Sequence, residues 1–134
     1  MTSRFTEIIV DCHDPKLLAE FWRGVLAYDI TDESEGLVEI APGNADVQAH
    51  GPRPTAPAIV FVPVPEPKTV KDRLHIDVNP LGVTQEEEVE RLIGLGATKI
   101  DIGQGDVSWV VMADPEGNEF CVLRTSIGEM PGEA

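Results

Sequence analysis

A histidine with a charged residue two positions away on either side, Arg73-x-His75-x-Asp77, is the arrangement in this chain best suited to moving a proton. Side chains at i, i+2 and i+4 of a strand share one face, so Arg73, His75, Asp77 and Asn79 line up together. An imidazole changes charge near pH ~6.5, and a neighbouring carboxylate raises its basicity. His75 would serve as general base, Asp77 would help to move the proton, and Arg73 would steady an oxyanion. A histidine hydrogen-bonded within a sheet accounts for the same residues equally well.

The other reactive side chains have plainer readings beside their chemical ones. Cys121 lies in the apolar run Phe120-Cys121-Val122-Leu123 and reads first as a small buried hydrophobe; Cys12, at the end of another apolar run, does so more strongly. Neither belongs to a spaced disulfide framework. Trp109 falls in a predicted strand, where it would pack or stack on a flat ligand. Trp22 repeats at helical spacing with Leu18 and Val25, which marks it as core. His13 and His50 fall in turns or loops without partners at useful spacing. No nucleophile elbow, phosphate-binding loop or dinucleotide glycine fingerprint is present.

The elements that must position these residues occur twice. The run Glu7-Ile8-Ile9-Val10-Asp11 can be laid on His75-Ile76-Asp77-Val78-Asn79, with Ile8 and Val10 falling on Ile76 and Val78. Glu7, Ile9 and Asp11 then share the face opposite the core. A helix signal follows each run: Asp14-Pro15 as N-cap and first helical residue, and Thr84 with Glu87 as a capping box. The helices close at Leu26-Ala27-Tyr28 and Leu95-Gly96-Ala97. Strands are predicted at 37–41, 58–62, 99–102, 107–113 and 119–123, with Asp114-Pro115-Glu116-Gly117-Asn118 as a hairpin turn. Residues 42–57 read as a loop that borders the ligand site or is a plain surface excursion. Val62–Lys68 is a proline-rich connector, and the tail from Thr125 to residue 134 is expected to be loose. The expected fold class is α+β, with module one at about 3–65 and module two at about 71–124.

The 134 residues suit a single domain, and a 42% hydrophobic fraction is enough for a core without metal or disulfide staples. Ten basic against 24 acidic residues give a formal charge of −14, which repels phosphate backbones and anionic lipid surfaces. No nucleic acid and no membrane partner is expected. No apolar run approaches the ~18–20 residues of a membrane helix, and the start MTSRFTEIIVDC lacks the regions of a signal peptide. The expected compartment is the cytoplasm.

Two βαβββ units, the Asp-Pro-x-Gly-Asn turn, a first helix ending in Leu-Ala-Tyr, and the stretches PEPKTVKDRLHIDV at 65–78 and ADPEGNEFCVL at 113–123 resemble small glyoxalase-like proteins of the vicinal-oxygen-chelate superfamily, which also holds bleomycin-resistance proteins and dioxygenases. The resemblance implies a strongly curved mixed sheet with helices outside, whose concave side holds a ligand and often a divalent metal. It also implies pairing of chains or modules, hence a homodimer. Carried over, the metal positions fall on Glu7, Val60, His75 and Cys121. Valine cannot ligate, and cysteine stands where a carboxylate is usual, so the expected metal set is reduced to Glu7, His75 and Cys121.

The expected function is therefore binding of a small organic molecule, with no resident cofactor. Its walls would be Ile9, Val60, Val62, Trp109 and Leu123, and Asp11, Arg73, His75 and Asp77 would orient it. The alternative is a lyase, isomerase or dioxygenase-type enzyme using zinc, nickel, manganese or iron on Glu7, His75 and Cys121.

Overall fold

The computed structural model describes residues 2–43 and 56–127. The chain divides into two compact units, Met1–Pro67 and Lys68–Ala134, and the boundary falls in the expected proline-rich connector.

In the first unit β1 (Glu7–Cys12) leads into α1 (Pro15–Leu26), followed by β2 (Asp29–Ser34), β3 (Leu37–Ala41) and β4 (Ala58–Pro63). The Asp14 side chain accepts from Leu17 N at 3.1 Å, satisfying one of the unpaired N–H groups at the helix start. Pro15 supplies a preset φ where no N–H partner is needed. The helix buries Leu18, Ala19, Phe21 and Trp22, the last two in an edge-to-face pair with centroids 5.3 Å apart. Ile40, Ile59 and Phe61 complete this core. The strand order is β1-β4-β3-β2, with β1 parallel to β4. Tyr28 ties α1 to the start of β4 by donating to Pro57 O at 3.1 Å, and burial raises its phenol pKa.

The second unit repeats this order with β5 (Ile76–Val78), α2 (Gln85–Leu95), β6 (Thr98–Lys99), β7 (Val110–Ala113) and β8 (Glu119–Val122). Its strand order is β5-β8-β7-β6, with β5 parallel to β8, so the weak sequence repeat is a repeat of topology. Thr84 and Glu87 form the expected capping box, each side chain bonded to the other's backbone N–H. Val89 and Leu92 of α2 are buried, as are Met112, Phe120 and Val122 of the sheet. The protein is thus α+β, with two four-stranded mixed sheets and two helices among the described residues.

Several boundaries differ from expectation. β2, with the polar sequence DITDES, went unrecognised; a two-residue turn at Glu35 (φ 51°) and Gly36 (φ 85°) joins it to β3. The strands predicted at 99–102 and 107–113 are shorter. Gly103 (φ 86°) and Gly105 (φ 70°) break the extended backbone, and Trp109 lies before β7 rather than inside a strand. The chain after β8 is held further than the loose tail expected from Thr125: Asn79 Nδ2 donates to Thr125 O at 2.9 Å, and Ile127 N donates to Pro80 O at 2.8 Å. His50 and most of the 42–57 loop lie outside the described residues. No helix among the described residues is long and apolar enough to cross a membrane.

Candidate functional site

The matched registers of the two units show where chemistry is concentrated. In the first, Ile9 pairs with Val60 and Asp11 with Val62; in the second, Asp77 pairs with Cys121 and Val78 with Val122. Laying Ile8 on Ile76 therefore sets Glu7, Ile9 and Val60 against His75, Asp77 and Cys121. One repeat keeps a single polar side chain at these positions, and the other keeps three.

In the second unit these three converge. His75 sits one residue before β5, Asp77 within it, and Cys121 opposite Asp77 on β8. His75 Nδ1 lies 3.1 Å from Asp77 Oδ1 and 4.0 Å from Cys121 Sγ. One nitrogen, oxygen or sulfur atom from each lies within 4.8 Å of the others. His75 and Asp77 are exposed and Cys121 is buried, so the group is open on one side and anchored in the sheet on the other.

Electrostatics set the state of the thiol. Burial pushes the Cys121 pKa up, the Asp77 charge and its hydrogen bond push it further, and the Lys71 ammonium opposes them without prevailing. Cys121 is thus a protonated thiol at neutral pH and a donor toward Asp77. When His75 Nδ1 also donates to Asp77, Nε2 is left as the basic nitrogen.

A second cluster, which the sequence reading did not single out, holds this group in place. Asp72 N donates to Glu119 Oε1 at 3.2 Å, Glu119 N donates to Asp72 Oδ2 at 3.0 Å, and Lys68 Nζ lies 2.8 Å from Glu119 Oε2. Glu119 is 6% exposed and two residues before Cys121 on the same strand face. Burial pushes the Glu119 carboxyl up, but Lys68 and the N–H donors outweigh it and hold the pKa below its ordinary value. Asp72 is shifted upward, by burial first and by the Glu119 charge second. The legible signal was a carboxylate inside the apolar run of β8, which burial allows only with partners.

The other expected residues are distributed as follows. Glu7, Ile9 and Asp11 are exposed on one face of β1, Val60 is buried, and Val62 is half-buried, all in the first unit. Arg73 is exposed, and its guanidinium reaches Lys71 O at 3.4 Å. Leu123 is half-buried just beyond β8, its N–H donating to Val78 O at 2.8 Å. Trp109 is 40% exposed. Cys12 and Trp22 are buried as expected, and His13 Nε2 lies 3.1 Å from Pro65 O. A separate open cavity of about 690 Å³ lies in the first unit, lined by Arg23, Asp29, Ile30, Thr31, Pro42 and Gly43, and none of the expected site residues borders it. The site is assigned to the group with convergent polar chemistry rather than to this cavity.

The donor set suits a divalent ion in kind. Imidazole, carboxylate and thiolate together match zinc, which takes three protein ligands in catalytic sites. His75, Asp77 and Cys121 would hold it; Asp77 was expected to move a proton rather than to ligate, and the expected ligand Glu7 lies in the first unit. Such an ion would supply Lewis-acid polarisation of a ligand oxygen and would require Cys121 to lose its proton.

A model of the glyoxalase-like domain family matches residues 7–123. Among solved structures, a glyoxalase/bleomycin resistance protein/dioxygenase family enzyme from Burkholderia phytofirmans is similar, with 17% identity, a TM-score of 0.61, and 90% of this chain and 97% of that one covered. The fosfomycin resistance protein FosX from Listeria monocytogenes is 15% identical with a TM-score of 0.63, covering 95% of this chain and 94% of that one. A variant of that protein complexed with Mn(II) and 1S,2S-dihydroxypropylphosphonic acid gives 15% identity and a TM-score of 0.60, covering 92% of this chain and 90% of that one. No curated protein is significantly similar.

Proposed function

The chain belongs to the glyoxalase-like domain family, and from that premise we propose that it binds a small organic molecule over the sheet face carrying His75, Asp77 and Cys121, without needing a metal. The observation that carries this reading is the internal satisfaction of the group. Asp77 accepts from the His75 ring at 3.1 Å, the Cys121 sulfur lies 4.0 Å from the same ring nitrogen, and burial keeps the thiol protonated, so the three side chains form a polar anchor that is satisfied from within. Such an anchor can orient a ligand and take or give one proton.

A second reading is a metal-dependent enzyme, favoured by the proximity of the three donor atoms within 4.8 Å and by the Mn(II) named in the FosX complex. One experiment separates them. A panel of small organic molecules is screened for thermal stabilisation of the protein purified without a histidine tag, before and after chelation. The proposal expects hits that survive chelation and vanish in His75→Ala; a ligand at 100-fold its Kd adds ~2.7 kcal/mol of stability. Hits that require added zinc or manganese, with the metal retained by the parent and lost in both His75→Ala and Cys121→Ala, would replace it with the enzyme reading.

A further inference from the structure

Resting on that reading of the site, we infer that its ligand is a small organic anion whose carboxylate or phosphonate group is held by Lys71 and Arg73 beside His75. The chain has 24 acidic and 10 basic residues, so a cation here has many partners to choose from. Lys16 and Arg23 pair with Glu20, Lys16 also with Glu33, Lys68 with Glu119, and Arg91 with Glu88. Among the described residues Arg4, Lys71, Arg73, Lys99 and Arg124 form no ion pair, and of these five only Lys71 and Arg73 lie within four residues of His75, both of them exposed.

Their placement is constrained from both sides. Arg73 lies two residues after Lys71, and its guanidinium is turned back along the chain, donating to the Lys71 carbonyl at 3.4 Å. That stretch is fixed to β8 at Asp72, between them, by the reciprocal hydrogen bonds with Glu119. The positive charge of Lys71 reaches the Cys121 thiol at the buried end of the group. The competing negative charge, Asp77, already accepts from His75. A guanidinium fork and an ammonium on pre-ordered backbone provide what an oxyanion needs, with directional donors from arginine and a point charge from lysine. A neutral ligand would leave both cations unused.

The test uses the full chain and the ring signals of its three histidines, of which His75 reports the site and His13 serves as a control. Sodium acetate, methylphosphonate and the neutral isostere acetamide are titrated separately at constant ionic strength, in the parent and in the Lys71→Met/Arg73→Met double variant. Saturable His75 shifts are expected with at least one anion, at least tenfold tighter than with acetamide and weakened at least tenfold in the variant. Whether acetate or methylphosphonate binds more tightly identifies the anionic group. Equal responses to acetate and acetamide, or anion binding unchanged in the variant, would overturn the anion assignment and leave the binding site itself intact. Silence of His75 toward all three probes, with the His13 signal showing a folded chain, would overturn both.

Discussion

At the residue scale, the group around His75 depends on a carboxylate that touches no ligand. Glu119 holds Asp72 and Lys68, and through them the backbone that carries Lys71, Arg73 and His75. Glu119→Gln is nearly isosteric but loses the charge that faces Lys68, so stability should fall by about 1–3 kcal/mol at pH 7. The sign with pH follows from the shift. A carboxyl held below its ordinary value of 4.5 contributes stability above that pH and loses it as pH falls through the lowered folded value. Urea unfolding should therefore show the parent and Glu119→Gln converging in acid, and a gap that stays constant down to pH 3 would sink the argument. Asp72 is shifted the other way, so its ionised form is costly in the folded state and its contribution is lost as pH rises through the raised value. Asp72→Asn keeps an acceptor for Glu119 N and removes the repulsion, so stability at pH 7 should be unchanged or higher. His75 and Asp77 were legible as candidates from strand parity, and Cys121 from the family resemblance. The clamp was not, because Lys68 ends the proline-rich connector and Asp72 precedes the first strand of module two, both outside any periodic run, and only the fold brings them to Glu119.

At the element scale, local chemistry that is written into neighbouring residues was readable. The capping box at Thr84 and Glu87, the Asp14-Pro15 helix start and the 114–118 turn all rest on contacts spanning a few positions. Asp114, for instance, accepts from the N–H groups of Glu116 and Asn118 at 2.9 and 3.0 Å. What failed was β2, whose residues are mostly exposed and polar and whose place is set by pairing with β3. Its one local signal was the Glu35-Gly36 turn, a two-residue hairpin connection with both φ values positive. The helix ends give a prediction. α1 closes on Ala27 at φ 57°, where a β-carbon costs about 1–2 kcal/mol, whereas α2 closes on Gly96 at φ 122°. Ala27→Gly should therefore stabilise by roughly 1 kcal/mol, a rise of about 3 °C in Tm, while Gly96→Ala should destabilise by at least as much. A thermal melt in which Ala27→Gly lowers Tm would mean that helix propensity at this position outweighs relief of the left-handed strain.

At the scale of the whole molecule, two electrostatic effects with opposite salt dependence act on the same chain. A formal charge of −14 over 134 residues makes the folded state repel itself, since folding brings these charges closer together. The ion pairs of Lys16 and Arg23 are between exposed groups and return little, of order 0.2–1 kcal/mol each. Raising NaCl from 10 to 150 mM shortens the Debye length from ~30 to ~8 Å, so the repulsion is screened over most of the surface and Tm should rise. At the site the sign reverses. Lys71 and Arg73 are exposed cations, and their attraction for an anionic ligand should weaken over the same range of salt. The pair of measurements is more informative than either alone. A Tm that rises with NaCl while the Kd for the bound anion also rises would show that the local field at His75 is positive within a molecule whose overall field is negative. If Kd were instead to fall with salt, the net charge would dominate at the site, and the two unpaired cations would be too few to define what it binds.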